Sequence, residues 1–204
     1  MTPRTGTALV IVDMQNDFCA APAAARAPAV TTNTARAIDL ARGRGTEVVF
    51  VRFTGDVAHQ RPSWRHRDRV LGKQPKCREG TPGAAFHERT APAPGERVFT
   101  KRACFDAFLS EGFEDHLCGR GVEHLVLAGL FTDVCVDSTA RTAFQKGFHL
   151  TVLTDCTVSL HLPDEEILRF MGLVYGARTT THDRKDAWAR PEEAAWPASS
   201  AASG

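Results

Sequence analysis

This 204-residue chain has no long apolar run, no paired C-x-x-C spacing and no excess of either charge. The first apolar stretch ends at Asp13, well short of the roughly 20 residues a spanning helix needs. No charged leader with a small-residue cleavage site precedes it, so the expected location is the cytoplasm and not a membrane. The chain carries 25 Lys and Arg against 24 Asp and Glu, a formal net charge of +1. That balance argues against nucleic acid as a partner, because tracking phosphates needs clustered, uncompensated cations. The densest basic stretch, Arg61 to Arg69 with Arg65 and Arg67, is short and interrupted, and reads as a solvated loop. The six cysteines (19, 77, 104, 118, 135 and 156) are scattered, so free thiols are expected rather than a disulfide framework or a zinc finger. Most should be small buried apolar residues. No internal repeat is present.

What is there is an alternation of short β-branched runs and helical patterns. Ala8 to Val12 reads as a fully buried parallel strand. Further strands are expected at Glu47–Phe53, Arg97–Thr100, His124–Gly129, Phe148–Leu153 and Ala177–Thr181. Helices are expected at Val30–Gly43, Phe105–Gly119, Cys135–Gly147 and from Pro163 to about Tyr175. Ala20 to Val30 is alanine-rich but broken by Pro22, Arg26 and Pro28. The polar stretch 54–95 should be a functional loop or carry small helices. Strand–helix alternation predicts an α/β fold: three layers, doubly wound, a mostly parallel sheet with helices on both faces. Residues 1–190 form one domain in this reading, and 191–204, rich in Ala, Pro and Ser, form a disordered tail.

Asp13, Lys101 and Cys135 each stand at the end of a buried strand. A parallel sheet brings its strand carboxyl ends to one edge, where ligands bind, so the three can meet. Together they make a nucleophilic unit. Sulfur attacks as thiolate, and a free pKa of about 8.5 leaves little of it at neutral pH. A neighbouring ammonium and a helix N-terminus both favour the anion, and the expected helix starts at Cys135. Lys101 would therefore hold a thiolate, while Asp13 moves the proton from the thiol to the leaving amine. No histidine shows, from the sequence pattern, both the Asp partner and the proximity to Cys135 that a papain-like site requires, and His149, between Phe148 and Leu150, reads as structural.

Leu9-Val-Ile-Val-Asp-Met-Gln-Asn-Asp-Phe-Cys19, Phe99-Thr-Lys-Arg102 and Leu127-Ala-Gly-Leu-Phe-Thr-Asp-Val-Cys-Val136 resemble, in this order, three motifs of the isochorismatase-like hydrolase superfamily. The resemblance spans about Thr7 to Asp155. It implies that Asp13, Lys101 and Cys135 are the catalytic triad, that the Leu130–Phe131 peptide is cis, and that the backbone N–H groups of Phe131 and Cys135 form the oxyanion hole. Phe18 matches an aromatic that flanks substrate. Members that cleave a vinyl ether lack the cysteine, so its presence favours amide chemistry.

Cys77 to Ala84 and Pro94 to Lys101 are similar to members acting on linear amides and ureido compounds, such as the N-carbamoylsarcosine, biuret and ureidoacrylate hydrolases. The expected function is hydrolysis of the C–N bond of a small carboxamide or ureido compound through a thioester, with no cofactor. Phe18, Trp64, Arg102 and Phe131 are the candidate substrate contacts. Arg78, Arg141 and Arg178 are further candidates for a substrate carboxylate, which an arginine grips in two-pronged fashion. Nicotinamidases of this superfamily hold a metal through Asp-x-His and a later His. Asp56, His59 and His66 lie in the corresponding loop, but Asp56 and His59 are three apart, so no metal is expected. The partner is a small molecule, and similar proteins lead us to expect a homo-oligomer. Rival readings are a cyclic or aromatic amide as substrate, a scaffold that has lost catalysis, and a redox sensor pairing Cys135 with a second cysteine.

Overall fold

The computed structural model describes residues 6–25 and 27–190. The expected tail, 191–204, lies outside the described residues, as does Arg26. Six strands form the sheet: β1 (Thr7–Val12), β2 (Glu47–Thr54), β3 (Arg97–Arg102), β4 (His124–Leu130), β5 (His149–Val158) and β6 (Arg178–Thr180). Their order is β3-β2-β1-β4-β5-β6, and every pairing is parallel. The helices are α1 (Asn16–Cys19), α2 (Pro22–Ala25), α3 (Ala29–Gly43), α4 (Pro62–Val70), α5 (Phe113–Gly119), α6 (Asp137–Gln145) and α7 (Asp164–Tyr175). Among the described residues no helix is long and apolar enough to cross a membrane.

The unbroken apolar run of β1 follows from its place at the centre, where side chains on both faces are covered. Ala8, Val10 and Val12 pack with Phe113 and Leu117 of α5, Ala140 and Ala143 of α6, and Met171 of α7. Leu9 and Ile11 point the other way, onto Ala37, Ile38 and Ala41 of α3 and onto Trp188. Alternation along one strand thus feeds two separate cores, giving three layers.

The chain builds outward from β1 through β2 to β3, then returns to lay β4 on the other side of β1. Strand order reverses there, which opens a crevice beyond the carboxyl ends of β1 and β4. Those two ends approach closely. Gly129, at φ 122°, leaves no room for a side chain, because a Cβ would lie 1.9 Å from the Val12 carbonyl oxygen.

Several boundaries differ from the sequence expectation, each for a local reason. The helix expected over 105–119 is split into a 3-10 turn, Ala107–Leu109, and α5. The Asp106 carboxylate accepts from Phe108 N (2.9 Å) and Thr142 Oγ1 (2.6 Å), and left-handed Gly112 redirects the chain before α5 begins. β5 continues to Val158 through a bulge, where the register on β4 jumps from Leu127–Val152 to Gly129–Thr157. Lys101 lies inside β3, not beyond its end. The stretch 54–95 carries α4 and three 3-10 turns, and buried Gln15 fastens it. The Gln15 side chain donates to Phe53 O (2.9 Å) and Ala84 O (2.8 Å) and accepts from Phe53 N (2.7 Å).

Candidate active site

Asp13 follows β1 in a left-handed conformation (φ 53°), with its N–H given to Val51 O at 2.8 Å. β2 separates it from β3, so the Lys101 side chain must cross a strand to reach it. Lys101 sits in register with Phe53 of β2, and its Nζ passes 5.9 Å from the centre of that ring. Nζ donates to Asp13 Oδ2 at 2.6 Å and to Phe105 O at 2.8 Å, and both charged side chains are fully buried. The other carboxylate oxygen, Asp13 Oδ1, is buried without a hydrogen bond of normal geometry. Such an atom is costly unless something else uses it.

Cys135 is 5% exposed and interacts electrostatically with both Asp13 and Lys101. The helix expected to begin at Cys135 starts earlier, as a π-helical turn over Thr132–Val136 that runs into α6. The sulfur therefore sits within the opening turn. The Leu130–Phe131 peptide that leads into it is cis. The Phe131 carbonyl accepts from Val134 and Val136, the neighbours of Cys135 on either side.

Charge at this site differs from a simple thiolate–ammonium pair. Burial pushes the Cys135 thiol above its usual range, Lys101 pulls it back, and the Asp13 carboxylate pushes it up again. Burial and the Asp13 carboxylate together outweigh the pull of Lys101, so the direction at Cys135 is upward. Burial also raises the Asp13 carboxyl against the pull of Lys101, so Asp13 accepts protons more readily than an exposed carboxylate. Burial opposes the Lys101 ammonium, yet Asp13 and Cys135 hold its pKa above the ordinary lysine value. The site thus brings an ammonium, a carboxylate and a thiol together out of water.

Aromatic residues wall this centre. Phe18 packs on Phe53 (centroids 5.7 Å apart) and edge-on to Phe131 (5.9 Å). Trp64 stacks on Phe53 at 5.9 Å and meets Phe105 at 4.8 Å. Three of the four substrate contacts anticipated from sequence, Phe18, Trp64 and Phe131, thus join one cluster around Phe53. Arg102 does not. It follows Lys101 on a strand, where neighbours face opposite ways, and it is exposed. Arg141 is engaged with Asp137 (3.1 Å), Arg178 donates to Ala189 O (2.9 Å), and Arg78 is exposed. The arginine that does reach the aromatic wall is Arg67, with its Cζ 4.1 Å above the Trp64 ring. Only tertiary structure reveals it.

Asp56, His59 and His66 do not converge. Among the described residues, the one group of three His, Cys, Asp or Glu donors close enough for a cation is Asp155, Cys156 and His182. The nicotinamidase type of metal site therefore does not fit this chain.

Asp133 was also missed by sequence reasoning. Its carboxylate accepts from three successive amides, Leu160 N (2.7 Å), His161 N (2.7 Å) and Leu162 N (2.9 Å). Beside it, the hydroxyls of Thr132 and Thr157 are 2.7 Å apart. The turn bearing Cys135 is thereby tied to the segment after β5. Asp133→Ala should lower stability by about 2–4 kcal/mol, because a bond to a charged acceptor contributes about 1.5–3 and two of the three amides, on exposed His161 and Leu162, can turn to water instead. It should also speed hydrogen exchange at residues 160–162, and unchanged exchange there would contradict the tie.

Comparison with known proteins agrees with this geometry. The Isochorismatase domain family matches residues 7–184. A maleamate amidohydrolase of Pseudomonas putida is 32% identical over 183 residues, covering 86% of this chain and 84% of the relative. A nicotinamidase/pyrazinamidase of Mycobacterium tuberculosis is 33% identical over 171 residues, covering 75% and 87%. The crystal structure of N-carbamoylsarcosine amidase from Thermoplasma acidophilum superposes with a TM-score of 0.76 at 26% identity, covering 87% of this chain and 97% of that one. With the family matched over nearly all of its described length and the fold in agreement, the chain belongs to the isochorismatase family.

Proposed function

We propose that this protein is a cysteine amidohydrolase that cleaves the C–N bond of a small, non-peptide carboxamide or ureido compound, with Asp13, Lys101 and Cys135 as its catalytic set. The observation that carries this reading is the buried Asp13 carboxylate. One oxygen is held by Lys101 at 2.6 Å, the other has no hydrogen bond of normal geometry, and the carboxylate interacts with the Cys135 thiol.

In this scheme Asp13 takes the thiol proton as Sγ adds to the substrate carbonyl carbon. Developing charge on the carbonyl oxygen is met by the backbone N–H groups of Phe131 and Cys135. The C–N bond breaks as Asp13 returns its proton to the leaving nitrogen, which departs as ammonia or an amine. A thioester remains on Cys135. Asp13 then removes a proton from water as the water oxygen attacks; the C–S bond breaks, and sulfur recovers the proton. Lys101 keeps its own proton throughout and fixes the carboxylate. The aromatic wall of Phe18, Trp64 and Phe131 shapes the pocket. It also supports a flat aromatic amide as an alternative, a class represented by the nicotinamidase relative.

All six cysteines are free, which supports a reducing, cytoplasmic setting. Self-association into a homo-oligomer is supported by α7, where Leu173 is 73% and Val174 48% exposed. Sedimentation should show a species heavier than the 22.2 kDa chain, and a monomer at all concentrations would refute this.

The decisive test is ammonia release over a panel of carboxamides, ureido acids and aromatic amides. Cys135→Ser and Asp13→Asn should each lower kcat by at least about 100-fold while circular dichroism is unchanged. Full activity in either variant rules the mechanism out, and no turnover of any panel member favours a scaffold. Alkylation gives an independent check. Because the folded thiol titrates above the free value, it stays protonated below that point. Site-resolved iodoacetamide labelling of Cys135 should still be rising at about pH 9. A plateau reached near neutrality would reveal a standing thiolate and contradict this charge state.

A further inference from the structure

A second cluster of chemically active side chains lies in the other core. Cys135 packs in the layer of α5, α6 and α7, whereas Cys156 packs in the layer of α3. In a regular strand Asp155 and Cys156 would point to opposite faces. The bulge in β5 falls across these residues, between the positions paired with Leu127 and Gly129. It turns both donors toward one point, with Cys156 Sγ 3.5 Å from Asp155 Oδ1. His182, just after β6, adds a nitrogen: its Nδ1 is 2.5 Å from Asp155 Oδ2, and its N–H donates to Asp155 Oδ1 at 3.0 Å. All three donor atoms lie within 4.8 Å of one another.

The backbone around them is held. Asn33 Nδ2 of α3 donates to Asp155 O at 3.1 Å, and Trp188 Nε1 donates to His182 O at 3.0 Å. His182 also lines a surface cavity with Arg36, Asp39, Leu40 and Arg44, which gives an ion a way in.

We propose that Asp155, Cys156 and His182 form a binding site for a divalent transition-metal ion, with Zn2+ the best match, separate from the catalytic thiol. One sulfur, one imidazole nitrogen and one carboxylate oxygen are the donors zinc accepts, at roughly 2.0–2.3 Å each. Around such an ion the donors stand on the order of 3.5 Å apart, so the 2.5 Å contact of His182 with Asp155 must open by about 1 Å to admit the ion, while Cys156 already stands at 3.5 Å from Asp155. Binding proceeds as the Cys156 thiol loses its proton to solvent and the sulfur bonds the metal. In the empty site Nδ1 of His182 donates its proton to Asp155 Oδ2; on binding, Nδ1 gives that proton up to solvent, Nε2 carries the ring proton, and the freed Nδ1 lone pair bonds the ion. One thiolate and one carboxylate cancel the 2+ charge, so Arg36 and Arg44 across the cavity face no excess of positive charge. A water from the cavity completes a four-coordinate shell. The ion ties the β5 bulge to the turn after β6 and plays no part in C–N cleavage.

The test is Co2+ titration of the chelator-treated full chain. One equivalent should bind with a thiolate-to-cobalt charge-transfer band in the near ultraviolet and tetrahedral visible bands, displaced by Zn2+. The bands should vanish in Cys156→Ser and His182→Gln, each shown folded by circular dichroism, and persist in Cys135→Ser. Zn2+ affinity in Cys156→Ser should fall by more than the roughly 10–100-fold typical of losing an outer-shell partner. If Cys156→Ser does not fold, His182→Gln decides alone. Absence of the bands in the intact chain, their survival in His182→Gln, or their loss in Cys135→Ser overturns the proposal.

Discussion

The buried ion pair between Asp13 and Lys101 is the interaction around which the site is organised. Removing two full charges from water costs several kcal/mol per ion, and only close geometry with further hydrogen bonds offsets it. Here the contact is 2.6 Å, and the Phe105 carbonyl takes a second ammonium proton. Losing one partner of such a pair typically costs about 3–5 kcal/mol, because the other charge is left stranded. The pair also spans three strands, since β2 lies between its two anchors. It is a fastening for the sheet edge as well as a source of chemistry.

The same burial sets the balance at Cys135. Burial and the Asp13 carboxylate push its thiol up, and Lys101 pulls it back. Asp13 is raised by the same loss of water, so thiol and carboxyl shift in one direction and for one reason.

Much of this was legible in the residues themselves. The β-branched run before Asp13 declared a fully buried parallel strand, and strand–helix alternation declared the layers. Parallel topology allowed Asp13 and Lys101 to meet, and the three ordered motifs pointed to that pair. What escaped was non-local or set by burial. Arg102 falls outside the aromatic cluster because neighbours along a strand face opposite ways. Arg67 and Asp133 act through contacts with Trp64 and with residues 160–162, for which sequence spacing holds no sign. The β5 bulge hid inside Thr154 and Asp155, whose polarity reads as the end of a strand. The upward push on the Cys135 thiol comes from how dry the site is, which motif matching does not measure.

One feature of the backbone sets how such an enzyme can diversify. At Gly129 the strand leading to Cys135 touches the main chain of the strand leading to Asp13, with no side chain between them. The spacing of carboxylate and sulfur is therefore not adjustable by ordinary substitution at that glycine. New substrate preferences must come from elsewhere, and the stretch 54–95, which bears Trp64 and Arg67, is tied to the residues after β1 by Gln15 at Ala84 O and by Asp17 at Cys77 N, among other bonds. Reaction chemistry and molecular taste are housed in different stretches of chain, so the second can drift while the first stays put.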